Sequence, residues 1–576
     1  MNDNYELVVR NGTVFDGSGG EPFEADVAVA NGRIAAVGKV AGRGRKEIDA
    51  KGLAVTPGFV DLHTHYDGQV TWENRLAPSS SHGVTTVVMG NCGVGFAPCR
   101  PAQHETLLRL MEGVEDIPHP VLVDGVPWKW ETFPEYLDFL AARRYDMDIC
   151  GYVPHAALRV YAMGERGAEG APATAADRAA MARLVREAVA AGAMGFSTSR
   201  TFFHRSSDGR STPTHEAAEE ELTAMALALK DAGRGAMQLI IDFEQADEAF
   251  GVMRRVVERS GRPLSFSLME GETGPLSPRW PEILDWVAQA NAEGLPIKGQ
   301  VACRAVGMLL GHELTLNPFY STEAYRELAR LPLEERISAL RLPEVRARVL
   351  AEPVDPDPAN VLGRMVRDYL RMYVLGDPPD YEPLPEDSIA ARAERASVGP
   401  DALAYDLMLE GGGRNMLYYA LANYGRGSLE DCLAMMRHPG TVLGLGDGGA
   451  HCATICDGSL PTFMLTHWTR DRSRGKRLPL AWAVKALARD TALAVGLADR
   501  GLLAPGCKGD LNVIDLGRLS LDAPEVSYDL PSGGRRLVQR ASGYRATVVA
   551  GNVVYRDGEA TGSLPGRLVR GPRPLR

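Results

Sequence analysis

The sequence predicts an α/β protein: a (β/α)8 barrel of the TIM type, a small β-sandwich built from both chain ends, and a helical insertion. Three observations lead to this prediction. Eight apolar, strand-like segments alternate with helical patterns in the middle of the 576-residue chain. Short strands separated by tight turns occupy both chain ends. One segment between the last two barrel strands is too long to be a single crossover.

Composition narrows the class of protein. The chain is 45% hydrophobic and 24% charged, which is ordinary for a soluble globular protein, and its length suggests two to four domains. Its net charge of −11 argues against nucleic acid or an anionic membrane surface as the main partner. It has no apolar run long enough to span a bilayer, and the first residues do not resemble a secretory signal. Because the eight cysteines are scattered, we expect reduced thiols and a cytoplasmic protein.

The two chain ends are predicted to pair into one β-sandwich. Asn31-Gly32 separates two apolar runs near the start of the chain, which is a strong signal for a β-hairpin. Gly551-Asn552 has the same place between two strand-like runs near the other end. We therefore assign residues 1–55 and 501–576 to the sandwich and residues 56–500 to the barrel.

Near-continuous apolar segments predict the barrel strands, because parallel strands are covered on both faces. We place these strands at residues 55–65, 83–91, 148–155, 193–199, 235–243, 263–269, 297–303 and 441–447. The clearest helix between them covers residues 175–191, with Thr174 and Asp177 as a capping pair and Gly192 as its stop. The Leu-, Arg- and Glu-rich segment from about 315 to 430 is predicted to be a helical insertion, serving as a lid or an interface.

Polar residues at the C-terminal ends of the strands are where such a barrel carries its chemistry. Strand one ends in His63-Thr64-His65, and residues i and i+2 of a strand share a face, so both imidazoles can bind one metal ion. Strand two leads to Cys92, which is either a small buried residue or a thiolate ligand. Strand eight leads to Asp447, which is either part of an Asp-Gly turn or a metal ligand and general base.

Together these motifs resemble the amidohydrolase superfamily, specifically its N-acyl-D-amino-acid deacylase (D-aminoacylase) branch. The resemblance extends over nearly the whole chain. Its main motifs are Pro57-Gly58-Phe59-Val60-Asp61-Leu62-His63-Thr64-His65, Gly90-Asn91-Cys92-Gly93 and Asp447-Gly448-Gly449-Ala450-His451. The resemblance implies a barrel with a β-sandwich and a metal-dependent hydrolase that acts on carbon–nitrogen bonds other than peptide bonds. It also implies that His63, His65, Cys92 and Asp447 surround the zinc centre, with Asp447 as general base and proton shuttle.

The chain departs from that branch on strands five and six, each of which gives the branch a metal-binding histidine. Strand five offers Asp242 instead, and strand six has Leu268, which cannot coordinate a metal. Three arrangements follow. In the first, one divalent ion, zinc by the resemblance, is held by His63, His65 and Asp447 with Cys92 or Asp242. In the second, other residues are recruited as metal ligands. In the third, the site is metal-free. The candidates for recruitment are Glu244, Glu270, His155, His204 and His451.

Further polar residues near the strand ends are predicted to contact the substrate. They are His155, Arg159, Arg200, Arg304 and His451. Arginine suits a carboxylate, because its planar guanidinium can bind both oxygens. His204 and His215 flank a polar loop that is placed to cover the site.

We hypothesise an amidohydrolase that cleaves a small molecule, either an N-acyl amino acid, D-configured ones included, or a small modified peptide. A water activated by the metal attacks the carbonyl, and Asp447 takes its proton. The resemblance makes a homo-oligomer reasonable. Two alternatives remain. The missing histidines favour a lyase, isomerase or cyclase of the same fold with an altered or metal-free site. A non-catalytic binding protein could also retain an inherited barrel.

Overall fold

The protein contains a parallel β-barrel surrounded by helices and a separate β-rich domain. A computed structural model describes residues 4–575 except residues 273, 354–362 and 364. The barrel strands are Phe59–Asp61, Val84–Met89, Asp148–Gly151 continued by Val153–Pro154, Gly195–Arg200, Ala236–Ile241, Leu264–Ser267, Ile297–Val301 and Thr441–Leu443. Seven lie within a predicted segment, and strand four extends one residue beyond its predicted segment, to Arg200. The α/β barrel prediction is therefore confirmed.

The barrel closes between strand eight and strand one, and this closure forms the site. Neighbouring strands from two to eight pair in parallel, and strand one pairs with strand two. Beyond the regular strands, Thr64 bridges Gly448, and the backbone N–H of Asp447 donates to the carbonyl of His63 at 3.0 Å. The chain segments that carry the predicted metal ligands therefore lie side by side at the C-terminal end of the barrel.

The predicted first strand is divided between the two domains. Ala54–Pro57 pairs with Asn4–Val14 and with Leu511–Ile514 in the β-rich domain. Gly58 follows, and a Cβ atom there would lie 2.2 Å from Oγ1 of Thr85, so only glycine fits at this crossing. The single strand predicted at 55–65 is thus corrected, because the backbone changes sheets at Gly58.

Both chain ends contribute to one nine-stranded sheet, as predicted. Its order is Glu559–Ala560, Asn552–Arg556, Tyr544–Val549, Leu511–Ile514, Ala54–Pro57, Asn4–Val14, Phe23–Ala30 and Arg33–Gly38, with Arg43–Asp49 also paired to Asn4–Val14. Leu7, Val29, Leu511 and Val548 belong to its shared apolar core. Residues 520–521 and 541–542 pair as one short ribbon, and Glu525–Leu530 and Gly534–Val538 as another.

Helices cover the outside of the barrel. Those before strand eight are Gln69–Trp72, His104–Glu115, His119–Gly125, Phe133–Ala141, His155–Met163, Glu165–Ala168, Ala175–Ala191, Glu219–Asp231, Ala246–Ser260, Trp280–Ala292 and Glu430–Arg437. Those after it are Leu460–Phe463, Met464–Asp471, Leu480–Lys485, Ala486–Asp490 and Thr491–Ala494, the second and fourth being π-helical. The predicted cap is present, since Oγ1 of Thr174 accepts from the N–H of Asp177 at 3.2 Å. The described helices include none that is long and apolar enough to cross a membrane.

The insertion between strands seven and eight is not purely helical. Its helices are Glu323–Leu328, Leu333–Leu340, Pro343–Ala351, Ile389–Ala396 and Pro400–Met408. Val306–Leu310, Met372–Val374 and Leu417–Ala422 add a three-stranded antiparallel sheet. The helical prediction missed these strands because they are short and far apart in sequence. Residues 354–362 and 364 of the predicted insertion lie outside the described part of the chain.

Candidate metal centre

Three predicted ligands meet at the C-terminal end of the barrel. One ligand atom each from His63, His65 and Cys92 all lie within 4.8 Å of one another. Sγ of Cys92 is 3.4 Å from Nε2 of His63. All three residues are at most 5% exposed. Two imidazoles and a thiol in such a cluster form a donor set that suits zinc.

Asp447 faces both imidazoles from the loop after strand eight. Its Oδ1 lies 3.4 Å from Nε2 of His63 and 3.4 Å from Nε2 of His65. Although burial raises the pKa of this carboxyl, the charges of the two histidines outweigh it and lower the pKa well below its usual range. The side chain is 20% exposed, more than those of the two histidines. Asp447 is therefore an ionised carboxylate at the open side of the cluster.

The other nitrogen of each histidine ring faces an oxygen acceptor. Nδ1 of His63 is 2.6 Å from Oε1 of Gln300, whose Nε2 in turn donates to Oγ of Ser265 at 2.9 Å. Nδ1 of His65 is 3.1 Å from Oε1 of Glu115, an ion-pair contact without the angle of a hydrogen bond. An acceptor beside Nδ1 favours, for the neutral ring, the tautomer with its proton on Nδ1 and its lone pair on Nε2. Both rings thus offer Nε2 to the centre of the cluster, as a metal requires.

Cys92 lies in a tight turn held by strands four and five. The N–H of Cys92 donates to Oε1 of Gln238 at 2.8 Å, and the N–H of Gly93 donates to Oγ of Ser197 at 3.0 Å. Cys92 has a left-handed backbone conformation with φ of 54°. Burial raises the pKa of its thiol, but His63 and His65 lower it further, so the net shift is downward. The turn therefore presents a readily ionised sulfur to the two histidines.

Strands five and six place no ligand in this cluster. Oδ2 of Asp242 accepts the N–H of Phe202 at 2.9 Å, which ties Asp242 to the loop after strand four. Asp242 is not among the three clustered residues, and its role as a metal ligand stays a prediction. Gln238 instead reaches the cluster from strand five, through its bond to Cys92. Leu268 lies in the apolar core, as the sequence implied for a residue that cannot coordinate.

His155 and Arg159 form a buried ion-pair network away from the cluster. Nε2 of His155 is 2.7 Å from Oε1 of Glu221, and Nη1 of Arg159 is 2.7 Å from both oxygens of the same carboxylate. Nδ1 of His155 is 2.8 Å from Oγ1 of Thr198, which alternates on strand four with the inward-facing Ser197. Both residues are at most 1% exposed and engaged by Glu221, and their contact with substrate stays a prediction.

Arg200 and Arg304 are the two remaining arginines predicted to contact the substrate. Burial lowers the pKa of Arg200, and the carboxylates acting on it lie on or beside the outer helices, at Glu216, Glu248 and Glu219. Nη2 of Arg304 is 2.7 Å from Oδ1 of Asp457, and its guanidinium stacks 3.9 Å above the ring of Tyr381. Arg304 is thus engaged by Asp457 and Tyr381, and the role of both arginines in substrate binding stays a prediction.

Two histidines remain near the open side of the cluster. Nε2 of His451 is 3.8 Å from Oε2 of Glu115, and the His451 side chain is 33% exposed. Nδ1 of His204 is 2.9 Å from Oγ of Ser199, and burial lowers the pKa of His204 to about 4. The charges of Glu115, His451, His65 and Asp447 all act on His204. His451 thus stays a candidate for substrate binding.

Glu244 and Glu270, the other candidates for recruitment, bind backbone instead. Oε1 of Glu244 accepts the N–H of Gly274 at 2.6 Å, and Oε2 of Glu270 accepts the N–H of Gly425 at 3.1 Å.

One residue beside the cluster that the sequence did not indicate is Glu115, the last residue of helix His104–Glu115. Nothing in its local sequence points to the site, because it is brought there by packing of a helix between strands two and three.

A family model and two sequence relatives each match most of the chain. The model of the amidohydrolase family matches residues 46–555. An N-acyl-D-aspartate deacylase of Alcaligenes xylosoxydans xylosoxydans is 28% identical over 98% of this chain and 95% of its own length. A D-aminoacylase of the same organism is 25% identical over 98% and 97%.

Solved structures agree on the fold. A D-aminoacylase crystal structure superposes with a TM-score of 0.65 at 24% identity, covering 99% of this chain and all of the other. N-acyl-D-glutamate deacylase from Bordetella bronchiseptica, complexed with zinc and a phosphonate inhibitor, gives a TM-score of 0.63 at 22% identity, with 99% and 100% covered. Both similarities extend over the barrel and the β-rich domain together.

Proposed function

The chain belongs to the amidohydrolase family, hydrolases that act on carbon–nitrogen bonds other than peptide bonds, and we propose that it deacylates an N-acyl-D-amino acid at one zinc ion. The observation that carries the proposal is the position of Asp447, whose Oδ1 lies 3.4 Å from Nε2 of both His63 and His65. A carboxylate in that position can accept a proton from water held against the same two histidines.

The residues that would hold the metal are His63, His65 and Cys92, with Asp447 beside them. The donor set fits zinc, since it joins two neutral imidazoles to a soft thiolate. Gln300 and Glu115 support this assignment by leaving Nε2 of both rings free. Because strand six has Leu268 where the resemblance implies a histidine, and strand five reaches the cluster only through Gln238, we propose one ion rather than two.

Asp447 carries the proton through the reaction. A bound divalent ion lowers the pKa of water and polarises a carbonyl group. Asp447, whose Oδ1 lies 3.4 Å from Nε2 of both histidines, takes the proton of the attacking water while a C–O bond forms at the amide carbon. The carbon–nitrogen bond then breaks, and Asp447 returns the proton to the leaving nitrogen. The products are a carboxylic acid and a free amine.

The substrate class comes from the full-length relatives. Of those compared above, one is named an N-acyl-D-aspartate deacylase and the other a D-aminoacylase, and each is covered almost completely by this chain. We therefore propose a small N-acylated D-amino acid as the substrate. His451, one-third exposed beside Glu115, is the residue that we propose to contact it.

A panel of substrates tests the proposal. Purified protein with one equivalent of zinc is incubated with matched N-acetyl-D- and N-acetyl-L-amino acids, covering acidic, neutral and basic side chains, and the released amine is quantified. We expect amine from at least one D-amino acid and at least tenfold less from its L-enantiomer. Absence of amine from every compound would contradict the reaction, and equal rates for both enantiomers would contradict the stereochemistry alone.

A further inference from the structure

Glu115 connects two parts of the site that are far apart in sequence. It is the last residue of helix His104–Glu115, and Asp116 ends that helix in a left-handed conformation with φ of 50°. Only 1% of the Glu115 side chain is exposed, so its carboxylate lies in the protein interior. An isolated buried carboxylate is strongly unfavourable, so its partners must compensate for the lost hydration.

One partner is His65. Oε1 of Glu115 lies 3.1 Å from Nδ1 of His65, on the side of the ring opposite Asp447. A carboxylate behind a metal-binding histidine fixes the tautomer and the orientation of the ring.

The other partner is the loop that carries Asp447. The backbone carbonyl of Glu115 accepts the N–H of His451, and Oε2 of Glu115 lies 3.8 Å from Nε2 of His451. The next residue, Asp116, accepts the hydroxyl of Thr454 from the same loop. Within that loop the N–H of Ala450 donates to the carbonyl of Asp447 at 3.1 Å. The end of one helix therefore fastens the loop on which Asp447 sits.

We propose that Glu115 is a positioning residue of the metal centre: it aligns His65 from behind and holds the 447–454 loop in place, without touching substrate. The proposal rests on the proposed zinc centre and adds a residue from outside the barrel strands to it. Removing the carboxylate leaves the ring of His65 free to turn and removes the ion pair with His451, while the bonds of the loop to the Glu115 carbonyl and to Asp116 remain. Zinc should then bind more weakly, and its coordination should change.

Two substitutions test the proposal, with a matched control on the same helix. Glu115→Gln keeps the size and an oxygen acceptor but loses the charge, and Glu115→Ala loses both. Glu105→Gln makes the same chemical change at a side chain that is 53% exposed and faces Arg109. Zinc affinity of the metal-free proteins is measured by competition with a chromophoric chelator. The absorption spectrum of the cobalt(II) forms reports the geometry around the ion.

We expect zinc affinity to fall about tenfold in Glu115→Gln and about 100-fold in Glu115→Ala, with Glu105→Gln unchanged. The cobalt spectrum should shift in both Glu115 variants, while the melting temperature of the metal-free proteins stays that of the parent. The proposal is overturned if both variants bind zinc within twofold of the parent. It is also overturned if zinc affinity falls only in variants whose melting temperature falls as well, because the fold and not the metal centre is then affected. If the parent protein binds zinc but releases no amine, the proposed reaction is contradicted, but the zinc affinities of the variants still test the role of Glu115. A parent that binds no zinc overturns both.

Discussion

Nδ1 of His63 lies 2.6 Å from Oε1 of Gln300, so strand seven fixes the ring of a residue that ends strand one. Gln300 is itself held by Ser265 on strand six, through a hydrogen bond of 2.9 Å. Three barrel strands thus orient one imidazole before any ligand is bound. Such a relay reduces the reorganisation needed when a metal binds, because the ring already presents Nε2 to Cys92 and Asp447.

Gln300→Leu should weaken zinc binding without unfolding the barrel. Leucine keeps most of the volume but offers no acceptor to Nδ1 of His63, so the ring loses its fixed tautomer. We expect a loss of about 10- to 100-fold in zinc affinity, the usual effect of removing such a partner. Chelator competition measures it, and Gln289→Leu on an outer helix serves as control, since Gln289 bonds only Glu293 nearby. Unchanged affinity in Gln300→Leu would show that the contact does not orient His63.

Cys92→Ser should weaken zinc binding more strongly, because a serine hydroxyl stays protonated near neutral pH and is a poor zinc ligand. We expect a loss greater than about 100-fold, beyond that of an outer partner. Cys99→Ser is the matched control: burial raises the pKa of the Cys99 thiol to about 12, so it remains a thiol. Both proteins are titrated with zinc under the same conditions. If they bind alike, Cys92 is only a buried structural residue.

Asp447→Asn should remove turnover and leave the fold intact. Asparagine has nearly the same shape but cannot accept the proton of water, so kcat should fall by about 10² to 10⁴-fold. Asp231→Asn, at a side chain that is 65% exposed, makes the same change away from the site. Rates of amine release and melting temperatures are compared for both variants. Full activity in Asp447→Asn would refute its role as general base.

Because His82 is buried, the folded protein should become less stable as the pH falls. Nδ1 of His82 is 2.8 Å from Oγ1 of Thr462 and Nε2 is 2.9 Å from the carbonyl of Gln539, and burial lowers the His82 pKa to about 4. The unfolded chain binds this proton near pH 6.5, and the folded protein only near pH 4. Stability is therefore lost as pH falls through that window, by about 3 kcal/mol in full.

His82→Gln should remove that pH dependence, because glutamine does not titrate. The free energy of unfolding is measured in urea at pH 7 and pH 4.5 for the parent, for this variant and for the surface control His119→Gln. We expect a smaller difference between the two pH values in His82→Gln than in the other two proteins. An equal difference in all three would show that His82 titrates alike in the folded and unfolded states.

Much of the barrel could be predicted from the sequence, because parallel strands buried on both faces give apolar runs. The change of sheet at Gly58 could not, since Ala54–Pro57 and Phe59–Asp61 are equally apolar and adjacent. The cluster of His63, His65 and Cys92 could be predicted because the strand ends of a barrel converge. The roles of the other polar residues could be predicted less well, because they depend on which face of its strand each residue occupies and on partners that are distant in sequence.

The arginines illustrate this limit. Ser197 and Arg200 are three residues apart on strand four and so lie on opposite faces, which the sequence alternation already indicates. Arg304 could not be placed in this way, because Asp457, its partner, is 153 residues away in sequence. Glu115 had no signal at all, since its role depends on where a helix ends in three dimensions.

The metal content and sulfur coordination of the protein, purified without added metal, test the account most directly. Elemental analysis counts the ions for each chain, and zinc X-ray absorption identifies the atoms bound to them. We predict one zinc ion for each chain, with one sulfur neighbour at about 2.3 Å beside nitrogen and oxygen neighbours at about 2.0 Å. Two zinc ions for each chain, or a single zinc without a sulfur neighbour, would contradict the proposed centre of His63, His65 and Cys92.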